Sequence, residues 1–123
     1  MNAAHFNLAV NMAKKSASRF RLGAVLAYKR RVISTGFNDM SRTHPLMKRY
    51  SREKNFDLGL HAEVHSCIGV SADDLYGSEL YVARILKNGS AAMARPCMVC
   101  QKFLLDVGIK SVYYTTDTGY GEL

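Results

Sequence analysis

Two short motifs in the sequence contain the residue types that hold a catalytic metal ion. The first is His61-Ala62-Glu63, and the second is Pro96-Cys97-Met98-Val99-Cys100. One imidazole and two thiolates give zinc three protein ligands, which leaves the fourth tetrahedral position to water. Zinc lowers the pKa of such a water toward neutrality and so makes it a nucleophile. His61, Cys97 and Cys100 are therefore candidate ligands of a catalytic Zn²⁺.

Glu63 is the candidate catalytic residue beside this metal. In the middle of a helix, residues two apart lie on different faces, but at a first turn aimed at the metal both His61 and Glu63 can converge on it. A carboxylate near the bound water, without being a ligand, can take up a proton and return it during the reaction. The pattern predicts hydrolytic chemistry with Glu63 as general base and then general acid.

A closed zinc site is the alternative interpretation of the same residues. His65 follows His61 at a spacing that zinc sites use, so four protein ligands could complete the tetrahedron. The protein would then be a non-catalytic zinc-binding module. This alternative gives Glu63 no role, and the open site is preferred.

The two motifs resemble the H-x-E…P-C-x-x-C signature of the cytidine/deoxycytidylate deaminase superfamily. Three further segments extend the resemblance over most of the chain, and they match the first, second and fourth strands of these enzymes: Leu22 to Leu26, Ser34 to Asn38, and Tyr113-Tyr114. The resemblance implies that His61, Cys97 and Cys100 hold zinc and that Glu63 shuttles protons. It also implies a homo-oligomer.

The resemblance implies two substrate contacts as well. Asn38 would contact the sugar, and the backbone of Ala62 would contact the base. The segment 38–60, with its Thr43-His44-Pro45, is similar to short phage-encoded deoxycytidylate deaminases, which would act in the host cytoplasm.

The charge of the chain is strongly asymmetric. The net charge is +7, with twelve Lys and Arg against two acids in residues 1–54 and five against eight in residues 55–123. Such a field favours an anionic partner, either a nucleotide phosphate or a nucleic-acid backbone, although a solvated basic face would have the same composition. Six residues are candidates for phosphate contacts: Arg19, Arg21, Arg42, Lys48, Arg49 and Arg52.

The resemblance to this superfamily implies hydrolytic deamination of a cytosine nucleotide or nucleoside. Deoxycytidylate (dCMP) is the first choice because of the basic half, and cytidine or deoxycytidine is the second. The alternative substrate is a base in RNA or single-stranded DNA, such as adenosine in tRNA. The small size of the chain and the lack of a clear stripe of aromatic and basic residues argue against that alternative.

The elements that must position the motifs follow from the hydrophobic periodicity. The pattern predicts helices over 3–18, 61–70 and 97–107, one or two helical turns within 46–54, and strands over 22–28, 32–37, 79–86 and 109–116, with a short last strand near Tyr120. The two strands that flank helix 97–107 should be parallel. The fold class is α/β, with a cytidine-deaminase-like α/β/α arrangement and a mixed sheet of four or five strands.

The bulk properties restrict the class of protein. The length of 123 residues fits one domain, a zinc-dependent deaminase spanning 1–123. No apolar run is long enough to cross a bilayer, and the N-terminus lacks a signal peptide. The sequence therefore predicts a cytoplasmic protein without a membrane partner. Cys67 is expected in the core, and His5 and His44 at the surface.

Overall fold

The computed structural model describes residues 1–50 and 59–123, which form a mixed sheet with helices on both faces. The helices are α1 (Ala3–Ala13), α2 (Pro45–Tyr50), α3 (Ala62–Cys67), α4 (Ala72–Leu75) and α5 (Met98–Asp106). The strands are β1 (Arg21–Tyr28), β2 (Arg31–Phe37), β3 (Glu79–Ile85), β4 (Ala91–Ala92), β5 (Ser111–Thr115) and β6 (Tyr120–Glu122).

The sheet has the order β2-β1-β3-β5-β6, and the short β4 pairs with β3 outside this path. β1 is antiparallel to both β2 and β3, whereas β3 and β5 are parallel and are connected through α5. The hairpin between β1 and β2 turns at Lys29, whose φ of 54° supplies the left-handed conformation without a glycine. The predicted mixed sheet and parallel crossover are confirmed, with the two-residue β4 as an addition.

The core is divided between the two faces of the sheet, which gives the expected three layers. On one face, Phe6 and Ala9 of α1 pack against Val25 and Tyr81. On the other face, a larger cluster lies beneath α3 and α5 and contains Leu80, Val82, Val64, Phe103 and Leu104, among others. The site motifs both belong to this second layer.

Helix α1 ends at Ala13, five residues before the predicted end. The Ser16 hydroxyl donates a hydrogen bond of 2.9 Å to the Asn38 carbonyl, which ties the chain to the end of β2 instead of continuing the helix. The α1 backbone also passes directly over β1, since a Cβ added at Gly23 would lie 2.2 Å from the Ala9 carbonyl oxygen. Only glycine permits this approach.

The second helical layer is equally close to the sheet. A Cβ added at Gly36 of β2 would lie 2.6 Å from the Ser66 nitrogen and 2.9 Å from the Ala62 oxygen. Helix α3 therefore rests on β2 at a position without a side chain. It ends at Cys67 rather than at residue 70, whereas α5 stops before Gly108 (φ 84°), as predicted.

One surface prediction is wrong, because His5 is only 4% exposed. Its Nε2 lies 2.8 Å from the Lys29 carbonyl oxygen, and its ring meets Tyr81 edge-on at 5.1 Å. The hairpin turn thus covers this histidine and supplies its polar partner. Among the described residues, no helix has the length and apolar character needed to span a membrane.

Candidate active site

The predicted ligands His61, Cys97 and Cys100 lie together at the start of two helices. The His61 Nδ1 is 3.5 Å from the Cys97 Sγ and 3.4 Å from the Cys100 Sγ. Their ligand atoms all lie within 4.8 Å of one another. The structure thus brings together two motifs that are far apart in the sequence.

Local backbone conformation explains how these side chains meet. His61 is the N-cap of α3 and Cys97 the N-cap of α5, both with extended backbone and neither with a capping hydrogen bond from its side chain. Cys100 lies one turn into α5 and is completely buried. Because both helices begin here, the imidazole and the thiols converge on one point.

The geometry and chemistry of this donor set fit zinc. A tetrahedral ion with Zn–N near 2.0–2.1 Å and Zn–S near 2.3 Å separates an imidazole nitrogen from a thiolate sulfur by about 3.6 Å. The observed separations of 3.5 and 3.4 Å agree with this value. Three ligands leave one coordination position for a small molecule, which is the arrangement of a catalytic zinc site.

Cys97 and Cys100 also shift each other's pKa in opposite directions. A hydrogen bond with Cys100 lowers the pKa of the Cys97 thiol to about 4, although burial opposes this shift. The same hydrogen bond, together with burial, raises the pKa of Cys100 well above its ordinary value. The pair therefore retains one proton, and a bound cation is what would allow both sulfurs to ionise.

The Glu63 carboxyl lies beside the thiols and is 3% exposed. Burial raises the pKa of Glu63, while the neighbouring His61 opposes the increase. A carboxyl group with a raised pKa holds and releases a proton closer to neutral pH than an exposed one does.

A cavity of about 230 Å³ opens onto these groups. All three residues of the first motif and Cys97 of the second belong to its lining, together with residues of other segments: Phe20, Leu22, Asn38, Met40, His61, Ala62, Glu63, Arg95 and Cys97. A small ligand in this cavity would contact the carboxylate and the metal ligands at the same time.

Both predicted substrate contacts line the cavity. The Asn38 side chain is already engaged, since its Oδ1 accepts from the Leu22 N–H at 2.9 Å and its Nδ2 donates to the Phe20 carbonyl at 2.6 Å. Each of these amide atoms retains capacity for one more hydrogen bond. Ala62 is the first residue of α3, so its N–H has no acceptor within the helix.

His65 lies outside the metal group found among the described residues. Its Nδ1 is 3.1 Å from the Phe37 nitrogen and 2.9 Å from the Phe37 oxygen, and the two rings meet edge-on at 5.2 Å. His65 thus connects α3 to β2, and the geometry does not favour the four-ligand alternative. Cys67 is 4% exposed and lies in the core, as predicted.

The basic residues predicted to contact phosphate have varied surroundings. Arg42 pairs with Asp39 at 3.7 Å, and Arg21 donates to the Leu86 carbonyl at 3.0 Å. The Arg19 guanidinium lies 5.4 Å from the ring centre of Phe20, at the cavity wall. The side chain of Lys48 and the whole of Arg52 lie outside the described residues, and Arg49 is exposed on α2.

Sequence reasoning missed four cavity residues, namely Phe20, Leu22, Met40 and Arg95. For Arg95 a signal was present, because it directly precedes Pro96 and the first cysteine of the metal motif. Nothing in the local pattern of Phe20 or Met40 distinguishes them from ordinary loop residues.

Comparison with known proteins agrees with this fold and site. Residues 1–116 match the model of the family described as the cytidine and deoxycytidylate deaminase zinc-binding region. The deoxycytidylate deaminase of Mycobacterium phage D29 is 27% identical over 119 residues, covering 85% of each chain.

Solved structures share the fold at low sequence identity. The dCMP deaminase of cyanophage S-TIM5 superposes with a TM-score of 0.66 at 22% identity in its apo form, over 93% of this chain and 81% of that one. Its complex with dCMP and dUMP gives 0.64 at 21% identity, with 93% and 79% covered. The cytidine deaminase of Burkholderia pseudomallei gives 0.65 at 14% identity, over 100% of this chain and 91% of that one.

The fold and the metal group define a zinc-dependent hydrolytic deaminase, with zinc as the cofactor. The family match covers most of the sequence, so the chain belongs to the cytidine and deoxycytidylate deaminase zinc-binding family.

Proposed function

We propose that this protein converts dCMP and water into dUMP and ammonia, with zinc held by His61, Cys97 and Cys100 and with Glu63 as the catalytic residue. The observation that carries the proposal is the buried Glu63 carboxyl, which lines one cavity with His61 and Cys97, next to a group of three zinc-type ligands completed by Cys100. The phage relative named a deoxycytidylate deaminase, and the cyanophage dCMP deaminase solved with dCMP and dUMP, support this choice of substrate.

In this mechanism the protein's own groups bind the base and move the protons. When bound, zinc supplies a water of lowered pKa at neutral pH. Glu63 accepts a proton from the attacking water as its oxygen bonds to C4 of cytosine, and it delivers a proton to ring N3. Glu63 then transfers the second water proton to the amino group, and ammonia leaves as the C4–N bond breaks.

Asn38 and Ala62 orient the substrate in the proposal. The Ala62 N–H, unused by its helix, donates to the base, and the remaining hydrogen-bonding capacity of Asn38 is directed at the sugar. Both groups are fixed before a substrate arrives, because Asn38 is bound to β1 and Ala62 begins α3. Such preorganised contacts hold the base in a reactive position at little entropic cost.

A substitution of Glu63 tests the mechanism. Glu63→Gln preserves the size of the side chain but removes the proton acceptor, so ammonia release from dCMP should fall by roughly 10²- to 10⁴-fold. One zinc per chain should remain by elemental analysis, because Glu63 is not a proposed ligand. Glu122→Gln, at an exposed position of β6, is the matched control. Full activity of Glu63→Gln would overturn the proposed role.

A second candidate substrate is a base within single-stranded nucleic acid. The observation in its favour is Phe20, an aromatic residue 51% exposed at the cavity, with the guanidinium groups of Arg84 and Arg19 at 4.7 and 5.4 Å from its ring centre. Aromatic and basic groups of this kind bind unpaired bases and backbone. Salt-dependent binding of a single-stranded oligonucleotide, followed by its deamination, would favour this candidate over free dCMP.

We further propose that residues 1–123 act as one deaminase domain in the cytoplasm, where the three free cysteines stay reduced.

We also propose that the chain forms a homo-oligomer. An apolar groove of about 380 Å³ beside α5 supports self-association, since Met98 and Leu105 on its walls are 64% and 82% exposed. Light scattering of the wild type and of Leu105→Glu tests it, with a smaller particle expected for the variant.

A further inference from the structure

Arg95 supplies the positive charge of the cavity. Among the described residues that line it, Arg95 is the single Lys or Arg, and Glu63 is the single acid. The Arg95 side chain is exposed, whereas Glu63 is buried at the floor. The cavity therefore has a carboxyl group at its floor and a cation toward solvent.

The backbone on both sides of Arg95 is fixed. The Ala94 N–H donates to the Thr115 carbonyl at 2.9 Å, and the Gln101 side chain donates to the Pro96 carbonyl at 2.7 Å. Arg95 also lies only two residues before Cys97, one of the proposed zinc ligands. The backbone that carries the Arg95 side chain is therefore held in a fixed position relative to the proposed zinc ligands.

The charge of Arg95 is available to a ligand. Within the described part of the chain, the one ion pair joins Arg42 to Asp39, so no carboxylate there neutralises Arg95. Two further cations lie near the cavity lining, because Arg84 and Arg19 stack on Phe20, which also lines the cavity. An anion bound at the cavity would therefore meet positive potential from Arg95 and from these two guanidinium groups.

We propose that Arg95 binds the 5′-phosphate of the nucleotide substrate and thereby selects monophosphates over unphosphorylated nucleosides. This inference rests on the proposed deamination of cytosine at Glu63. The cavity of about 230 Å³ is smaller than the roughly 300–1,000 Å³ of typical ligand sites. The base and sugar therefore occupy it, and the phosphate lies at the opening, where Arg95 is exposed. A guanidinium group matches phosphate oxygens with two parallel hydrogen bonds.

The test compares dCMP with deoxycytidine, which differ only in the phosphate. We expect Arg95→Gln to lower kcat/KM for dCMP by about 10- to 100-fold, and that for deoxycytidine by less than about threefold. Arg95→Lys keeps the positive charge but not the two parallel N–H donors of the guanidinium, so its decrease in kcat/KM for dCMP should be intermediate. Lys87→Gln, at an exposed turn residue, removes the same charge elsewhere and should leave both substrates unaffected.

A binding measurement that needs no turnover accompanies the kinetics. Calorimetry should show wild-type protein preferring dUMP to deoxyuridine, with most of that preference lost in Arg95→Gln. If Arg95→Gln lowered kcat/KM equally for dCMP and deoxycytidine, or kept the preference for dUMP, the proposed role of Arg95 would be overturned but the proposed deamination would not. A zinc-loaded wild type that releases no ammonia from any cytosine nucleoside or nucleotide would overturn the proposed function itself.

Discussion

Gly36, the β2 residue against which α3 packs, should control both the stability of the fold and the position of the active-site groups. In Gly36→Ala the new Cβ would lie 2.6 Å from the Ser66 nitrogen and 2.9 Å from the Ala62 oxygen. Ordinary contact begins near 3.4 Å, so α3 must move away from β2 by about 0.8 Å. His61 and Glu63 lie at the start of this helix and would move with it, whereas the cysteines on α5 would not.

The size of the effect follows from this displacement. Overpacking of a close contact costs about 1–3 kcal/mol, which lowers Tm by roughly 3–12 °C in a chain of this size. A shift near 1 Å in a reacting group reduces turnover by up to about 10²-fold. Zinc affinity should also fall, because the imidazole would be withdrawn from two stationary thiols.

The assay combines thermal unfolding, zinc titration and ammonia release from dCMP. Gly119→Ala makes the same chemical change where an added Cβ would meet nothing within 4 Å, and it should match the wild type in all three measurements. If Gly36→Ala instead kept the wild-type Tm and turnover, the contact between β2 and α3 would not be what sets the position of His61 and Glu63.

Three other outcomes follow from the structure. Burial raises the pKa of Cys67 to about 12, so its neutral thiol stabilises the fold fully below about pH 9 and that contribution is lost as the pH rises toward 12. The fall in Tm across this range should therefore be smaller in Cys67→Ala than in the wild type. His65→Leu leaves the Phe37 N–H without its partner and should cost about 1–3 kcal/mol in chemical denaturation, with zinc stoichiometry unchanged; loss of the metal would instead indicate the four-ligand site. Chelation of zinc should lower Tm, since a ligand at a thousand times its Kd stabilises by about 4 kcal/mol, and a Tm that does not respond to zinc would contradict the metal site.

The metal group could be predicted because it depends on short motifs with local rules. The sequence indicated that His61 and Cys97 each begin a helix, and the structure has both as N-caps. The strands were equally readable, since alternation and apolar runs mark them directly. Even the weak final strand near Tyr120 is present as β6.

What the sequence did not reveal depends on contacts between distant segments. Helix α1 stops at Ala13 because Ser16 bonds to Asn38, and His5 is buried because the hairpin turn at Lys29 covers it. Neither partner is visible in the local pattern. The same holds for Phe20, which becomes a neighbour of the cavity only after the sheet has formed.

The engagement of Asn38 has a consequence for changing the specificity of this enzyme. Its side chain joins the end of β2 to the start of β1 through two backbone partners, Leu22 and Phe20. Replacing Asn38 would remove both of these hydrogen bonds, so the proposed sugar contact is difficult to change without destabilising the connection between the two strands. The exposed side chains of Met40 and Arg95 make no hydrogen bond among the described residues, although the Met40 N–H donates to the Ser18 hydroxyl. Evolution or a protein engineer could therefore vary these two positions first, while the sheet beneath the cavity stays intact.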